Sequence, residues 1–168
     1  MVDEPLDDLD RRILHLLQVD ARGITDTEMA EDSNVTGTTI ATRITKLEDQ
    51  GIIRGYHPDI DYEQAGYPLV VLFICTAPLA DRSTICEQAL GIVGVVNIRQ
   101  MMAGEQNLHI EVVAESISRI EEITKQLDGL GLTIHRSNLL ATETVQPWNH
   151  FHGMASENDP PATDGSED

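Results

Sequence analysis

The stretch Val35 to Gly55, VTGTTIATRITKLEDQGIIRG, constrains the fold most, because both ends of one helix fall inside it, close behind the start signal of another. Thr36 stands where an N-cap belongs, and Gly51 stands where a glycine ends a helix at about Gln50. Upstream, Thr25 and Glu28 form a capping box, and Ile24 and Met29 occupy the two positions of a hydrophobic staple. A second helix therefore runs from Asp26 to about Ser33, with Asn34 and Val35 as a tight connection. Before it, Leu6 to Leu17 carries a helical apolar stripe (Leu6, Leu9, Ile13, Leu14, Leu16, Leu17), with Asp7, Asp8 and Asp10 at its start, where the helix dipole favours anions. Gly23 ends that helix. Three short helices, the last two joined by a tight turn, make a helix-turn-helix.

Ile40, Ile44 and Leu47 share one face of the third helix and must pack on the other two. Thr38, Thr42 and Lys46 project on the opposite face, with Thr39 beside them and Arg43 on the flank. Charge singles out the same stretch. The chain carries −18, yet from Thr36 to Pro58 the residues Arg43, Lys46 and Arg54 outnumber Glu48 and Asp49. A positive island in an acidic chain is what a polyanion-binding element requires. Short Thr hydroxyls approach phosphates and base edges closely, although Thr is a mediocre helix former. This assigns Thr36, Thr38, Thr39, Thr42, Arg43 and Lys46 to contacts with double-stranded DNA. Arg43 and Lys46 suit phosphate or guanine, and Arg54 suits the backbone from the adjoining segment.

That segment, Ile52 to Tyr62, is strand-like, a wing or connecting strand broken at His57-Pro58, and Tyr62 to Pro68 marks a domain boundary. Beyond it the periodicity changes. Leu69 to Thr76 (LVVLFICT) is apolar on both faces, as a central strand should be. A helix over Asp81–Leu90 comes next, then strands over Val93–Met102 and Asn107–Ala114, a helix over Ser116–Leu127 and a last strand over Thr133–Val145. The order βαββαβ predicts a ferredoxin-like sandwich with two helices on one face of a four-stranded antiparallel sheet. The second apolar face of the first strand then lacks a cover within its own domain, which points to a second copy and a dimerisation module. The fold class is α+β, in four parts: a DNA-binding domain over 1–55, a connector over 56–67, an oligomerisation domain over 68–147, to which the resemblance described below adds effector sensing, and an acidic tail over 148–168.

Length allows one domain or two small ones. The longest apolar run, Pro68 to Ala80, falls short of the roughly 20 residues that span a membrane, and Met1 to Asp10 has no apolar core of a signal peptide. A cytoplasmic protein without membrane contact is expected. Cys75 and Cys86 fall in a strand and a helix and suit small buried hydrophobes better than a disulfide or metal pair. Carboxylates are spread over every segment and only two residues are Lys. That distribution suits a cytoplasm of very high ionic strength, where about 1 M salt shortens screening to roughly 3 Å, and it predicts a halophilic archaeal source. Ser156 to Asp168 has the composition of a disordered segment.

LDDLDRRILHLLQVDAR followed by TDTEMAEDSNVTGTTIATRITKLEDQGIIRGY, a connecting strand and a βαββαβ domain closely resembles the leucine-responsive/asparagine-operon (Lrp/AsnC) regulators. Leu6, Asp7, Asp10, Ile13 and Leu14, then Arg43, Leu47, Glu48, Gly51, Ile53, Gly55 and Tyr56, fall at family spacing. The resemblance runs from Leu6 to about Val145. It implies a transcription factor that binds DNA as a homodimer or octamer and senses a small-molecule effector. The family usually shows Gly-x-x-Asp between the second and third strands of the sensing domain. This chain has Gly104-Glu-Gln-Asn107, and an amide cannot pair by charge with an ammonium group. Met101, Gly104, Glu105, Asn107 and His109 are the effector candidates, against a reading of Asn107, His109 and Glu111, with Asn97 and Arg99 alongside, as a polar network at a dimer interface. A regulator that senses nothing and works by oligomerisation alone is the alternative within the class.

Siroheme decarboxylases share this architecture, but the His-Asn-Tyr-x-Arg run expected near the second sheet strand is absent from Val95-Val-Asn-Ile-Arg-Gln100. The sequence offers no catalytic constellation, cofactor motif or paired-ligand metal motif, so no enzyme, cofactor or metal is expected. His150 and His152 after Trp148 are too few for a metal site.

Overall fold

The computed structural model describes residues 5–31 and 33–148. The chain forms two compact units, one containing the residues up to Pro58 and those from Thr144 on, the other Asp59–Glu143. The tail from Ser156, His150 and His152 lie outside the described residues.

The first unit contains α1 (Asp8–Asp20), α2 (Asp26–Ala30) and α3 (Gly37–Asp49). Each start is fixed by a side chain. At α2 the Glu28 N–H donates to Thr25 Oγ1 (3.2 Å) and the Thr25 N–H to Glu28 Oε2 (2.7 Å), the reciprocal capping box expected from the sequence. At α3 the Thr39 N–H donates to Thr36 Oγ1 at 3.3 Å. The other end of α3 closes on Gly51 at φ +68°, with the Gly51 N–H on Glu48 O and the Ile52 N–H on Leu47 O, a Schellman motif. Ile13, Met29, Ile40 and Leu47 form the buried centre, and Ile24, Ile44, Ile52 and Ile53 pack around it.

Two expectations fail here. α2 stops at Ala30 rather than Ser33, because Glu31 takes an extended conformation (ψ 142°). Its carbonyl accepts instead from Arg12 Nη2 at 2.9 Å. Ile52 to Tyr62 forms no strand among the described residues. An extended segment needs a ladder partner for its N–H and C=O groups, and Pro58 has no N–H to offer.

The second unit holds β1 (Leu69–Thr76), α4 (Arg82–Leu90), β2 (Val95–Gln100), β3 (Leu108–Ala114), α5 (Ile117–Asp128) and β4 (Thr133–Leu139). The sheet order is β2-β3-β1-β4, antiparallel throughout, which puts β1 in the centre as its two apolar faces require. Val71, Phe73 and Cys75 of β1 and Leu108, Ile110 and Val112 of β3 face one core with Ile85, Cys86 and Ala89 of α4 and Ile123 and Leu127 of α5. Both helices therefore cover the same face. Cys75 and Cys86 are free and buried, and burial pushes the Cys75 thiol up to about 11. Gly94 is required before β2. It sits at φ +106°, its carbonyl accepts from the Val113 N–H, and a Cβ there would lie 2.8 Å from Ile123 Cδ1.

β4 is shorter than the expected Thr133–Val145. After it the Leu140 N–H still donates to Val70 O (2.8 Å), but Glu143 Oε1 lies 3.8 Å from Arg99 Nη2. Arg99 is on β2, the opposite edge of the sheet. The segment past β4 thus crosses the face that the helices leave open. Among the described residues no helix is long and apolar enough to cross a membrane.

Candidate nucleic-acid interface

The outward side of α3 is a stripe of hydroxyls. Thr38, Thr42 and Thr45 are all exposed, at the three- and four-residue spacing that aligns side chains along one face. Thr42 Oγ1 donates to Thr38 O (2.9 Å) and Thr45 Oγ1 to Ala41 O (3.0 Å), which fixes both rotamers and leaves the oxygens' lone pairs outward. Asp49 is exposed on the same side at the C-terminal end. A polyanion would therefore meet the N-terminal two turns, the part of a recognition helix that reaches base edges in a major groove. Lys46 is half-buried at the margin, and Arg54 is exposed just beyond α3. Thr45 escapes the sequence reading, although its spacing of seven from Thr38 is a visible signal.

Thr36 and Thr39 have a different task. The Thr36 hydroxyl caps the helix and lies 3.1 Å from Thr39 Oγ1, so this pair is occupied in starting α3.

Arg43 is the main departure. Its Nη1 lies 2.7 Å from Asp7 Oδ2 and 3.1 Å from Asp10 Oδ1. Those two carboxylates are themselves the capping box of α1, with the Asp10 N–H on Asp7 Oδ1 (2.9 Å) and the Asp7 N–H on Asp10 Oδ2 (3.2 Å). Arg43 thus ties α3 to the start of α1 across 33 residues of sequence. Asp10 is only 6% exposed, and a buried carboxylate needs such a partner. Burial pushes the Asp7 carboxyl up, but the Asp10 N–H and the Arg43 guanidinium outweigh it and hold it below its usual value. The Asp7 carboxylate in turn raises Arg43. Where the sequence reading gives Arg43 a phosphate or guanine, the structure gives it two carboxylates: the guanidinium is a strut between helices, and so paired it adds no net charge to the outer face. Glu48 is likewise engaged, accepting from Tyr56 OH at 2.9 Å.

The effector candidates do not converge. Asn107 is 5% exposed and both ends of its amide are taken by one backbone unit, with Nδ2 donating to Ala77 O and Oδ1 accepting from Ala77 N, each at 2.9 Å. A buried amide so bonded is a clamp between β3 and the β1–α4 turn, a structural task beside the effector contact expected from the sequence. Met101 O accepts from Arg82 Nη1 (3.0 Å), and Glu105 O accepts from the Thr76 hydroxyl, so both enter through their backbones. Gly104 (φ +105°) is exposed with open space around it. His109 lies apart from these, half-buried on the open sheet face opposite Arg99. There Asn97 pairs with Glu111 across β2 and β3, and Arg99 Nη1 is 3.3 Å from Glu111 Oε2, the polar network expected from strand alternation. Glu111 is 7% exposed.

Residues 6–54 match the family model described as winged helix-turn-helix DNA-binding. The leucine-responsive regulatory protein of Rhizobium meliloti is 33% identical over 128 residues, covering 71% of this chain and 80% of that protein. An HTH-type transcriptional regulator of Pyrococcus furiosus is 46% identical over 67 residues, 40% of this chain. The matched stretch spans 45% of that protein's length, and the same share of two further Pyrococcus regulators. The fold of a transcriptional regulator solved with L-Met from Neisseria meningitidis superimposes with a TM-score of 0.70 at 18% identity, over 85% of this chain and 94% of that one. The helix-turn-helix followed by a four-stranded antiparallel sheet under two helices is the architecture of a two-part transcriptional regulator. The chain belongs to the Lrp/AsnC family.

Proposed function

We propose that the chain is a sequence-specific transcriptional regulator that binds double-stranded DNA through α3 as a homodimer. The observation that carries this is the exposed Thr38–Thr42–Thr45 stripe on a helix whose two ends and inner face are all fixed. Rigid, short hydroxyls reach phosphates and base edges, while Lys46 at the margin and Arg54 beyond supply the cations. Two copies would present two such helices to successive major grooves, about 34 Å apart. The part of that sheet face which the segment past β4 leaves open, with the half-buried Val70 and Leu72 beside the Arg99–Glu111 network, is the surface a second copy would cover.

The net charge of −18, spread along the chain, favours a concentrated-salt cytoplasm as its setting. Counterion release is weak there, so affinity must come from shape, hydroxyl contacts and the doubling a dimer provides. Full fold and DNA binding in dilute buffer would overturn that setting.

An effector is a separate matter. The L-Met complex of the Neisseria regulator makes an amino acid the first ligand to test. With Asn107 clamped to Ala77, recognition of its ammonium group would fall to Glu105 or the sheet-face residues rather than to Asn107.

The test is genome-wide DNA capture in concentrated salt, with Thr42→Asp as the variant. The substitution places a carboxylate on the exposed stripe, so capture should be lost while oligomer size and unfolding midpoint stay unchanged. Capture that persists in Thr42→Asp would remove α3 from the interface.

A further inference from the structure

A cleft of 480 Å³ lies within the first unit, between the C-terminal half of α1 and the segment after α3. Leu14, Leu17, Ile52 and Ile53 form its apolar side, all half-buried, and Gln18, Arg54, Tyr56 and His57 stand around them. The small helical core does not fill it. The chain returns to this cleft at its far end, where the Trp148 N–H donates to Gln18 Oε1 at 3.3 Å. The Gln18 amide is fixed from its other end, Nε2 donating to Leu14 O at 3.1 Å, so its acceptor is held toward the returning chain.

Residues 149–168 lie outside the described part, but their sequence, NHFHGMASENDPPATDGSED, begins at that edge. Phe151 comes three residues after Trp148, a reach of about 10 Å, enough to carry an aromatic ring from Gln18 onto the apolar side. Past Phe151 the sequence contains Glu157, Asp159, Asp164, Glu167 and Asp168 and no Lys or Arg, a charge complementary to the exposed cation Arg54 at the cleft. A segment tethered at the mouth of its site binds at a high effective concentration, so modest contacts suffice.

We propose that the C-terminal segment docks Phe151 into the cleft between α1 and Ile52–His57 and lays its carboxylates over Arg54, lowering the affinity of the unit for DNA. The effect on DNA rests on the regulator reading; the docking does not. Arg54 is where the two meet, since a cation held by the tail is withdrawn from the phosphate backbone.

The experiment compares the full chain, a chain ending at Trp148, Phe151→Ala and Gln18→Ala by two readouts. The first is methyl NMR of Leu14, Leu17, Ile52 and Ile53 in concentrated salt. The signals should shift on truncation, and Phe151→Ala should reproduce the truncated spectrum. Identical spectra for all chains would overturn docking. The second is binding to a duplex enriched from a random-sequence pool by the full chain. Truncation should tighten it about three- to tenfold, an effect that shrinks with salt, with Phe151→Ala and Gln18→Ala moving in the same direction. Truncation that tightens binding while Phe151→Ala does not would mean the tail acts through charge alone, and docking falls. If the pool yields no duplex, the DNA reading has failed, and the methyl spectra still decide docking.

Discussion

The first unit fully buries Ile13, Met29, Ile40 and Leu47 and little else, whereas the second closes Phe73, Leu108, Ile110, Val112, Ile123, Leu127 and their neighbours into one core between sheet and helices. Compensation for the smaller core is polar and local. Each of α1, α2 and α3 begins on a side-chain cap, and the Asp7–Asp10–Arg43 cluster ties the first helix to the third. With few apolar contacts to support it, α3 is held in place by caps and by the two ion pairs of Arg43. The sheet unit uses fewer such devices, the Asn107 clamp on Ala77 and the Ser116 cap of α5. Hydrophobic area and strand pairing hold it, and its polar network sits on the face the helices leave open.

Phe73→Ala should break the contrast most visibly. Removing a side chain 1% exposed from the larger core costs about 3–5 kcal/mol. Hydrogen-exchange mass spectrometry should show protection lost across β1, β3 and α5 first. Equal loss in α1 and α3 would mean that the two units unfold as one. Gly94→Ala comes next. The added methyl meets Ile123 Cδ1 and Val113 O in a backbone conformation that L residues rarely adopt, at a cost of about 2–3 kcal/mol confined to the second unit. Arg43→Ala should cost about 1–2 kcal/mol in the first unit, by leaving Asp10 without its partner. Arg43→Ala with Asp10→Asn should recover part of that loss. A single variant that loses DNA capture with its unfolding midpoint unchanged would restore Arg43 to the interface.

This difference also explains what the sequence revealed. Signals that act within four residues were legible: the Thr25–Glu28 box, the Thr36 cap, the Gly51 stop and the alternation of Leu108, Ile110 and Val112. The βαββαβ order followed from periodicity, and its sheet order put β1 in the centre. The carboxylate partners of Arg43 were not legible because they lie 33 and 36 positions away, and a cation on a helix flank looks the same whether a phosphate or a carboxylate will meet it. The Asn107 clamp was hidden for the same reason, since Ala77 lies 30 residues back and contributes only backbone atoms. The strand expected over Ile52–Tyr62 failed on a related point: β propensity gives no ladder without a partner. Local chemistry announces itself in sequence, and the identity of a distant hydrogen-bonding partner does not.

The smallest expected effect is a pH dependence that falls on the first unit alone. Asp7 is held below its ordinary value of 3.8 chiefly by the Asp10 N–H and Arg43, against an opposing push from burial. A carboxylate depressed on folding contributes stability that is present above its unfolded value and is lost as pH falls through the lower folded one. The first unit should therefore weaken as pH drops below about 4. The carboxylate of Glu28, depressed by Thr25, pulls in the same direction. The chain's single tryptophan, Trp148, belongs to this unit and reports on it. Denaturation midpoints followed by its fluorescence between about pH 5 and pH 3, at fixed high salt, should fall in the native chain and fall less steeply in Asp7→Asn. That variant keeps an acceptor for the Asp10 N–H but cannot ionise, so it separates charge from capping. A slope that survives unchanged in Asp7→Asn would place the acid-sensitive group elsewhere, and the ion pair would then be a geometric clamp with no measurable electrostatic share in stability.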